Sequence, residues 1–191
     1  MTSFLTKTIN LNSGENLILR SVQPDDADRL LTYIRSVAQE TPFFILQADE
    51  FNFTDEQERQ WIQDHLDDPG KLAISAEVSG TIVGFLSFEN GPHKRIRHRG
   101  TFCISVVKPW RGMGIGTALL QSLTEWAEAN PVIEKIGLAV FANNENAIRL
   151  YKKLGFVEEG RRPRELKIDS DCYADDILMY RFASEANAFV R

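Results

Sequence analysis

Residues 111–116 read Arg-Gly-Met-Gly-Ile-Gly, three glycines in five positions, and the chain then becomes strongly helix-forming. A glycine inside a helix costs roughly 1 kcal/mol against alanine, so Gly112, Gly114 and Gly116 at a helix start call for another reason. Glycine removes side chains and lets backbone N–H groups approach a ligand closely. The first four N–H groups of a helix lack internal partners and lie at the positive end of its dipole. Together these make an anion site. The charges agree: no Asp or Glu occurs between Thr101 and Thr124, while Lys108 and Arg111 lie just ahead of the helix. Glu125 and Glu128 come only in its last turns. The positive end is left free for a negative ligand.

The elements around this turn must hold it still. A strand through Cys103–Val107 leads into it, and a helix over about 114–129 follows. Ile115, Leu119, Leu123 and Trp126 recur at three- and four-residue spacing and make one apolar face. Two familiar phosphate loops do not match. No Lys-Ser or Lys-Thr pair follows the glycines, which excludes a Walker A loop. The third glycine comes one residue early for a dinucleotide fingerprint, and no acid ends the following strand. A purely structural glycine turn is the alternative.

What matches is R-x-x-G-x-G, Arg111 through Gly116, which resembles the pyrophosphate loop of the GNAT superfamily of acyl-CoA-dependent N-acyltransferases. A second stretch is similar to that superfamily's other signature: Asn144-x-x-Ala147-Ile148-x-Leu150-Tyr151-x-Lys153-x-Gly155-Phe156, following a strand. The resemblance implies that the parallel strands ending near Val107 and Val140 splay apart, that acyl-CoA lies in the wedge, and that an amine enters from the other side. Backbone amides from Arg111 through Thr117 (Arg111, Gly112, Met113, Gly114, Ile115, Gly116, Thr117) would then hold the pyrophosphate. Main-chain groups of Ile104, Val106 and Val107 would pair with the pantetheine arm. Asn144 would touch that arm, cap its own helix, or do both. Tyr151 would protonate the departing sulfur; a phenol of pKa about 10 keeps its proton at neutral pH. By spacing alone, Tyr151 shares a face with Ala147, Ile148 and Leu154 and would read as core.

One position departs from the pattern. Relatives often carry a basic glutamate where Thr101 stands here, and a neutral hydroxyl cannot take a proton from an ammonium. His98, Glu89 and Asp175 are the substitutes the sequence offers. Arg161, Arg162 and Arg164 could meet a carboxylate bidentately. Phe43, Phe44 and Phe53 could line an acceptor pocket. The basic stretch at 93–99 reads as a charged strand edge, and Cys103 and Cys172 as buried small residues.

The chain has 191 residues with an ordinary apolar share of 43%, which suits one domain, 1–191, with its motif-bearing core at about 17–182. A net charge of −5 argues against a nucleic-acid binder. No apolar run approaches the roughly 20 residues that span a bilayer, so no membrane partner is expected. The two cysteines have no metal or redox spacing and no metal is expected; a reducing cytoplasm suits them. Further strands read at 16–22 and on both sides of Ser79-Gly80, a tight hairpin; helices follow Pro24 and Thr54; a last hairpin turns near Lys167–Asp171. The fold class is α/β (α+β), a mixed, mostly antiparallel twisted sheet of about seven strands with a splayed parallel pair and about four helices. The function so implied is transfer of acetyl from acetyl-CoA to a primary amine, foremost of a small molecule such as an amino acid. A protein N-terminus or lysine is the rival acceptor, and a non-catalytic acyl-CoA-binding module the rival class. A homodimer is among the assemblies the resemblance allows.

Overall fold

The computed structural model describes residues 4–47 and 50–184. Its strands are β1 (Lys7–Asn10), β2 (Asn16–Ser21), β3 (Leu72–Val78), β4 (Thr81–Asn90), β5 (Arg99–Val106), β6 (Lys135–Phe141), β7 (Val157–Lys167) and β8 (Tyr173–Phe182). The helices are α1 (Ala27–Glu40), α2 (Asp55–Asp67), α3 (Ile115–Ala129) and α4 (Glu145–Lys153). One sheet runs in the order β1-β2-β3-β4-β5-β6-β8-β7. Only the β5–β6 pair is parallel.

Local chemistry sets most boundaries. Ser79 and Gly80 have φ of 49° and 78°, the two positive values that match a tight turn to strand twist in the β3–β4 hairpin. Thr54 caps α2 by accepting from the Gln57 amide, and Gln57 reaches back to the Thr54 amide. Asn144 caps α4, and Gly155, at φ 84°, follows that helix's C-cap. The eight strands exceed the seven expected, because β1 pairs with β2 at the sheet's outer edge. The basic stretch is a turn rather than a strand: only Arg99 of it enters β5.

Helices cover both faces of the sheet, so β3 is buried at all seven positions. On one face α3 and α4 pack over Leu86, Phe88, Phe102, Ile136 and Leu138. On the other, α1 and α2 pack over Ala73, Ile82 and Phe85. Edge strand β7 is mostly exposed; it contains Pro163, and its pairing with β8 slips between Arg162 and Leu166, where Arg164 takes φ 54°. Among the described residues no helix is long and apolar enough to cross a membrane.

A charged cluster pins α1 to the sheet. Arg20 donates to both Asp26 oxygens, at 2.6 and 2.8 Å, and to Glu77 at 2.5 Å; Arg29 donates to Asp26 at 2.8 Å. Asp26 and Glu77 are buried. Burial alone would raise the Asp26 pKa, but the Arg20 hydrogen bond, the Gln23 amide and the two guanidinium charges hold it below the ordinary value. A depressed carboxylate pKa contributes stability that is complete above the unfolded pKa and is lost as pH falls through the folded one. Asp26→Asn should therefore destabilise the fold by about 2–3 kcal/mol at neutral pH, at or below the low end for a broken buried pair. Urea unfolding of variant and wild type at pH 7 and again near pH 3 checks this: the difference should shrink at the acid pH.

Candidate active site

The site begins where β5 and β6 stop pairing. Their register runs Arg99↔Lys135, Gly100↔Ile136, Thr101↔Gly137 and ends there, although β5 continues to Val106 and β6 to Phe141. Val107 donates to Val83, and Gly91 donates to Arg99, so the odd-numbered residues of β5 turn their main-chain groups to β4. Ile104 and Val106 therefore turn theirs into the opening. Across it, Ala142 donates to Asp175 and Ala183 to Glu134, which commits the even-numbered residues of β6 to β8. Ala139, paired with β8 on its other side, is left with no β5 partner. Val107 is different: its amide bonds Val83 at 3.1 Å, and its carbonyl accepts from Trp110 at 3.0 Å, so neither group is open.

At the end of β5 the chain makes a short 3₁₀ turn, Lys108–Trp110, and enters the glycines. Gly112 and Gly114 have φ of 80° and 88°, a region that costs a residue with a Cβ about 1–2 kcal/mol. Open space lies where either Cβ would be. The N–H groups of Gly112, Met113, Gly114, Ile115, Gly116 and Thr117 donate to no acceptor among the described residues; the first helical bond of α3 runs from Ala118 to Gly114. The Arg111 amide, by contrast, donates to Lys108. Gly116 serves packing: a Cβ there would come within 3.3 Å of Leu150 on α4. Glu40, the last residue of α1, accepts from the Lys108 amide at 2.7 Å and lies 3.6 Å from the Arg111 guanidinium. That guanidinium also donates to the Val106 carbonyl at 2.8 Å, leaving the Val106 N–H as its open group.

A cavity of about 820 Å³ passes through the opening. Phe102, Cys103, Ile104, Ser105 and β6 residues Leu138–Phe141 form its waist. On the α4 side it reaches Asn144 and Tyr151. Tyr151 is buried, and its ring packs edge-on against Phe102 and Phe156 with centroids 5.8 and 6.0 Å away. Its hydroxyl has no hydrogen-bond partner among the described residues, and burial, with Cys103 nearby, pushes its pKa well above that of a free phenol. Asn144 spends its carbonyl on the Ala147 amide at 3.3 Å, which leaves its NH₂ group to donate. The cysteines are not buried as expected. Cys103 opens into the cavity, where its surroundings still raise the thiol pKa, and Cys172 lies exposed in the β7–β8 turn. Cys103 escapes burial because the strands part beside it.

On the α2 side the walls are apolar and aromatic: Phe43, Phe44, Phe51, Phe53, Trp61 and Phe85. Glu58 of α2 also lines this side. It is 8% exposed, and its carboxylate has no hydrogen bond or ion pair among the described residues. Sequence reasoning missed it within a helix rich in polar side chains; its spacing of three and four from Trp61 and Ile62 was the available signal. Of the three arginines, only Arg162 reaches the cavity, and it is held by Asp176 through two hydrogen bonds and by Glu165 at 2.9 Å. Arg161 pairs with Asp175 at 2.8 Å, and Arg164 stacks 4.2 Å over the Tyr173 ring. His98, Glu89 and Asp175 do not line the cavity. Glu89 faces His65, 3.3 Å from its Nε2.

Comparison with known proteins matches this geometry to one family. Residues 34–156 match the model of the acetyltransferase (GNAT) family. The chain is 27% identical over 169 residues to the SPbeta prophage-derived uncharacterized N-acetyltransferase YokL of Bacillus subtilis, covering 86% of this chain and 89% of that protein. It is 32% identical over 103 residues to the L-amino acid N-acetyltransferase AaaT of Escherichia coli, covering 54% and 64%. A solved acetyltransferase of the GNAT family from Streptococcus pneumoniae superposes with a TM-score of 0.85 at 30% identity, covering 87% of this chain and 99% of that one. The chain belongs to the GNAT family of acetyltransferases and is an acetyl-CoA-dependent N-acetyltransferase.

Proposed function

We propose that the protein N-acetylates the primary amine of a small molecule by direct transfer, with the two substrates meeting at the waist between β5 and β6. The observation that carries this is the single cavity joining Tyr151 and Asn144 on one face of the sheet to an apolar chamber on the other. The residues fit acetyl-CoA. Six consecutive amides, Gly112 to Thr117, are free at a helix N-terminus, a ready seat for a pyrophosphate. Ile104, the Val106 N–H and Ala139 offer the strand-like partners that the amides of a pantetheine arm need. The Asn144 NH₂ group adds a donor. The main-chain groups of Val107 and Arg111 are engaged within the turn, and the Arg111 guanidinium steadies the Val106 carbonyl.

When bound, acetyl-CoA supplies a thioester carbonyl for the amine to attack. Tyr151 holds its proton on the hydroxyl through neutral and mildly alkaline pH, because its pKa lies above the ordinary value, and delivers it to the departing sulfur. No covalent step on the protein is needed, so Cys103 has no nucleophilic role. Amino acids fall within the acceptor class only if Arg162 exchanges its Asp176 contact for their carboxylate. One catalytic domain spans the chain, and the reducing cytoplasm is its place of action, in keeping with its free thiols.

An amine panel containing amino acids, simple amines and a short peptide, mixed with acetyl-CoA and followed by thiol release, tests this function; release with the peptide alone would overturn it. Gly114→Asp should weaken acetyl-CoA binding at least tenfold more than Gly114→Ala, since both carry the backbone strain but only Asp brings negative charge to the amides. Titration calorimetry with acetyl-CoA separates the two variants. Tyr151→Phe keeps the ring packing and should lower kcat roughly a hundredfold, the scale of a lost acid, with the acetyl-CoA dissociation constant unchanged. Equal turnover by Tyr151→Phe and wild type would remove the acid role.

A further inference from the structure

We propose that Glu58 receives the ammonium group of the acceptor and takes its proton, and that the preferred acceptor is a primary amine on an aromatic or bulky apolar substituent without a carboxylate, an assignment that rests on the small-amine function above. Three observations carry it. Glu58 is more than nine-tenths buried, lines the chamber and has no partner among the described residues. A buried carboxylate without a counter-charge is costly and is relieved by a cation or a proton. Second, the other described ionisable groups lining the cavity offer it no cation: Arg162 is bound by Asp176 and Glu165, and Cys103 and Tyr151 are acids. The chamber therefore has an excess of negative charge centred on Glu58, and a substrate carboxylate would add to it. Third, the chamber that Glu58 lines is walled mainly by aromatic side chains, Phe43, Phe44, Phe51, Phe53 and Trp61, with few uncharged polar groups such as Gln57 and Ser87, and it gains by covering apolar area.

The chemistry closes with the groups present. The ammonium gives one proton to the Glu58 carboxylate and becomes a neutral amine. Its nitrogen lone pair forms the bond to the acetyl carbon as the carbon–sulfur bond breaks, with that electron pair left on sulfur. Tyr151 gives the sulfur its proton and regains one from the new amide nitrogen. Glu58 returns its proton to solvent. Desolvation holds the Glu58 pKa above the usual carboxylate value, which strengthens it as a base. Glu58 thus fills the role that Thr101 cannot.

The test uses 2-phenylethylamine, phenylalanine, ethylamine and a short peptide with the full-length protein and acetyl-CoA. For the wild type, kcat/KM should be at least tenfold higher for 2-phenylethylamine than for phenylalanine or ethylamine. Glu58→Gln should lower kcat/KM for 2-phenylethylamine about a hundredfold, the scale of a lost base. It should also flatten the acid limb of the pH–rate profile and abolish the thermal shift given by 2-phenylethylamine. The thermal shift given by acetyl-CoA should persist, which certifies the folded state. Glu58→Asp should recover part of the rate, and it serves in place of Glu58→Gln if the latter does not fold. Unchanged rate and pH profile in Glu58→Gln, or wild-type preference for phenylalanine or ethylamine, would overturn this inference while leaving the small-amine function standing. Release with the peptide alone, or with no amine, would overturn both.

Discussion

The structure depends on an interruption. Two parallel strands pair for three residues and then part, although each runs on for several more. Main-chain groups in an interior demand partners, and here the chain supplies them selectively. Val107 is satisfied by Val83 and Trp110, and the Val106 carbonyl by Arg111. Ile104, the Val106 amide and Ala139 are not. That unmet demand lies where the cavity passes between the two strands. The adjoining glycine turn repeats the arrangement at a helix end, where six amides have no acceptor among the described residues.

Strand alternation then divides the labour. Even-numbered side chains of β5 face α3 and α4, so Phe102 backs the ring of Tyr151. Odd-numbered ones face α1 and α2, so Cys103 and Ser105 belong to the opposite side, where Tyr33 donates to the Ser105 carbonyl at 2.9 Å. One strand therefore borders the cavity on both faces of the sheet. Glu40 links the faces, since the same carboxylate ends α1 and grips the turn at Lys108 and Arg111.

What could be read in advance was what local chemistry decides. The helix after the glycines, the Ser79-Gly80 hairpin, the Asn144 cap and the Gly155 stop each depend on a few adjacent residues. The hidden features depend on remote contacts. Four residues of β1 carry too little pattern to declare a strand; their pairing with β2 does so. Gly116 looks like its two neighbours in sequence, but Leu150 on another helix accounts for it. The occupied groups of Val107 and Arg111 follow from a 3₁₀ turn that composition does not announce. Glu58 looks like one more polar residue of α2 until Trp61 and the aromatic segment before the helix close round it. The arginines of β7 suggested a substrate carboxylate, but the carboxylates that Arg161 and Arg162 hold are the protein's own, Asp175, Asp176 and Glu165.

The outer border formed by β7 has a consequence for behaviour at high concentration. Its row of Glu158, Glu159, Arg161, Arg162, Arg164, Glu165 and Lys167 is broken by a proline that cannot donate and by a left-handed residue beside it. A second molecule laying a strand there would have to flatten that kink and strip water from alternating charges. Side-by-side fusion of sheets through this edge is thus disfavoured.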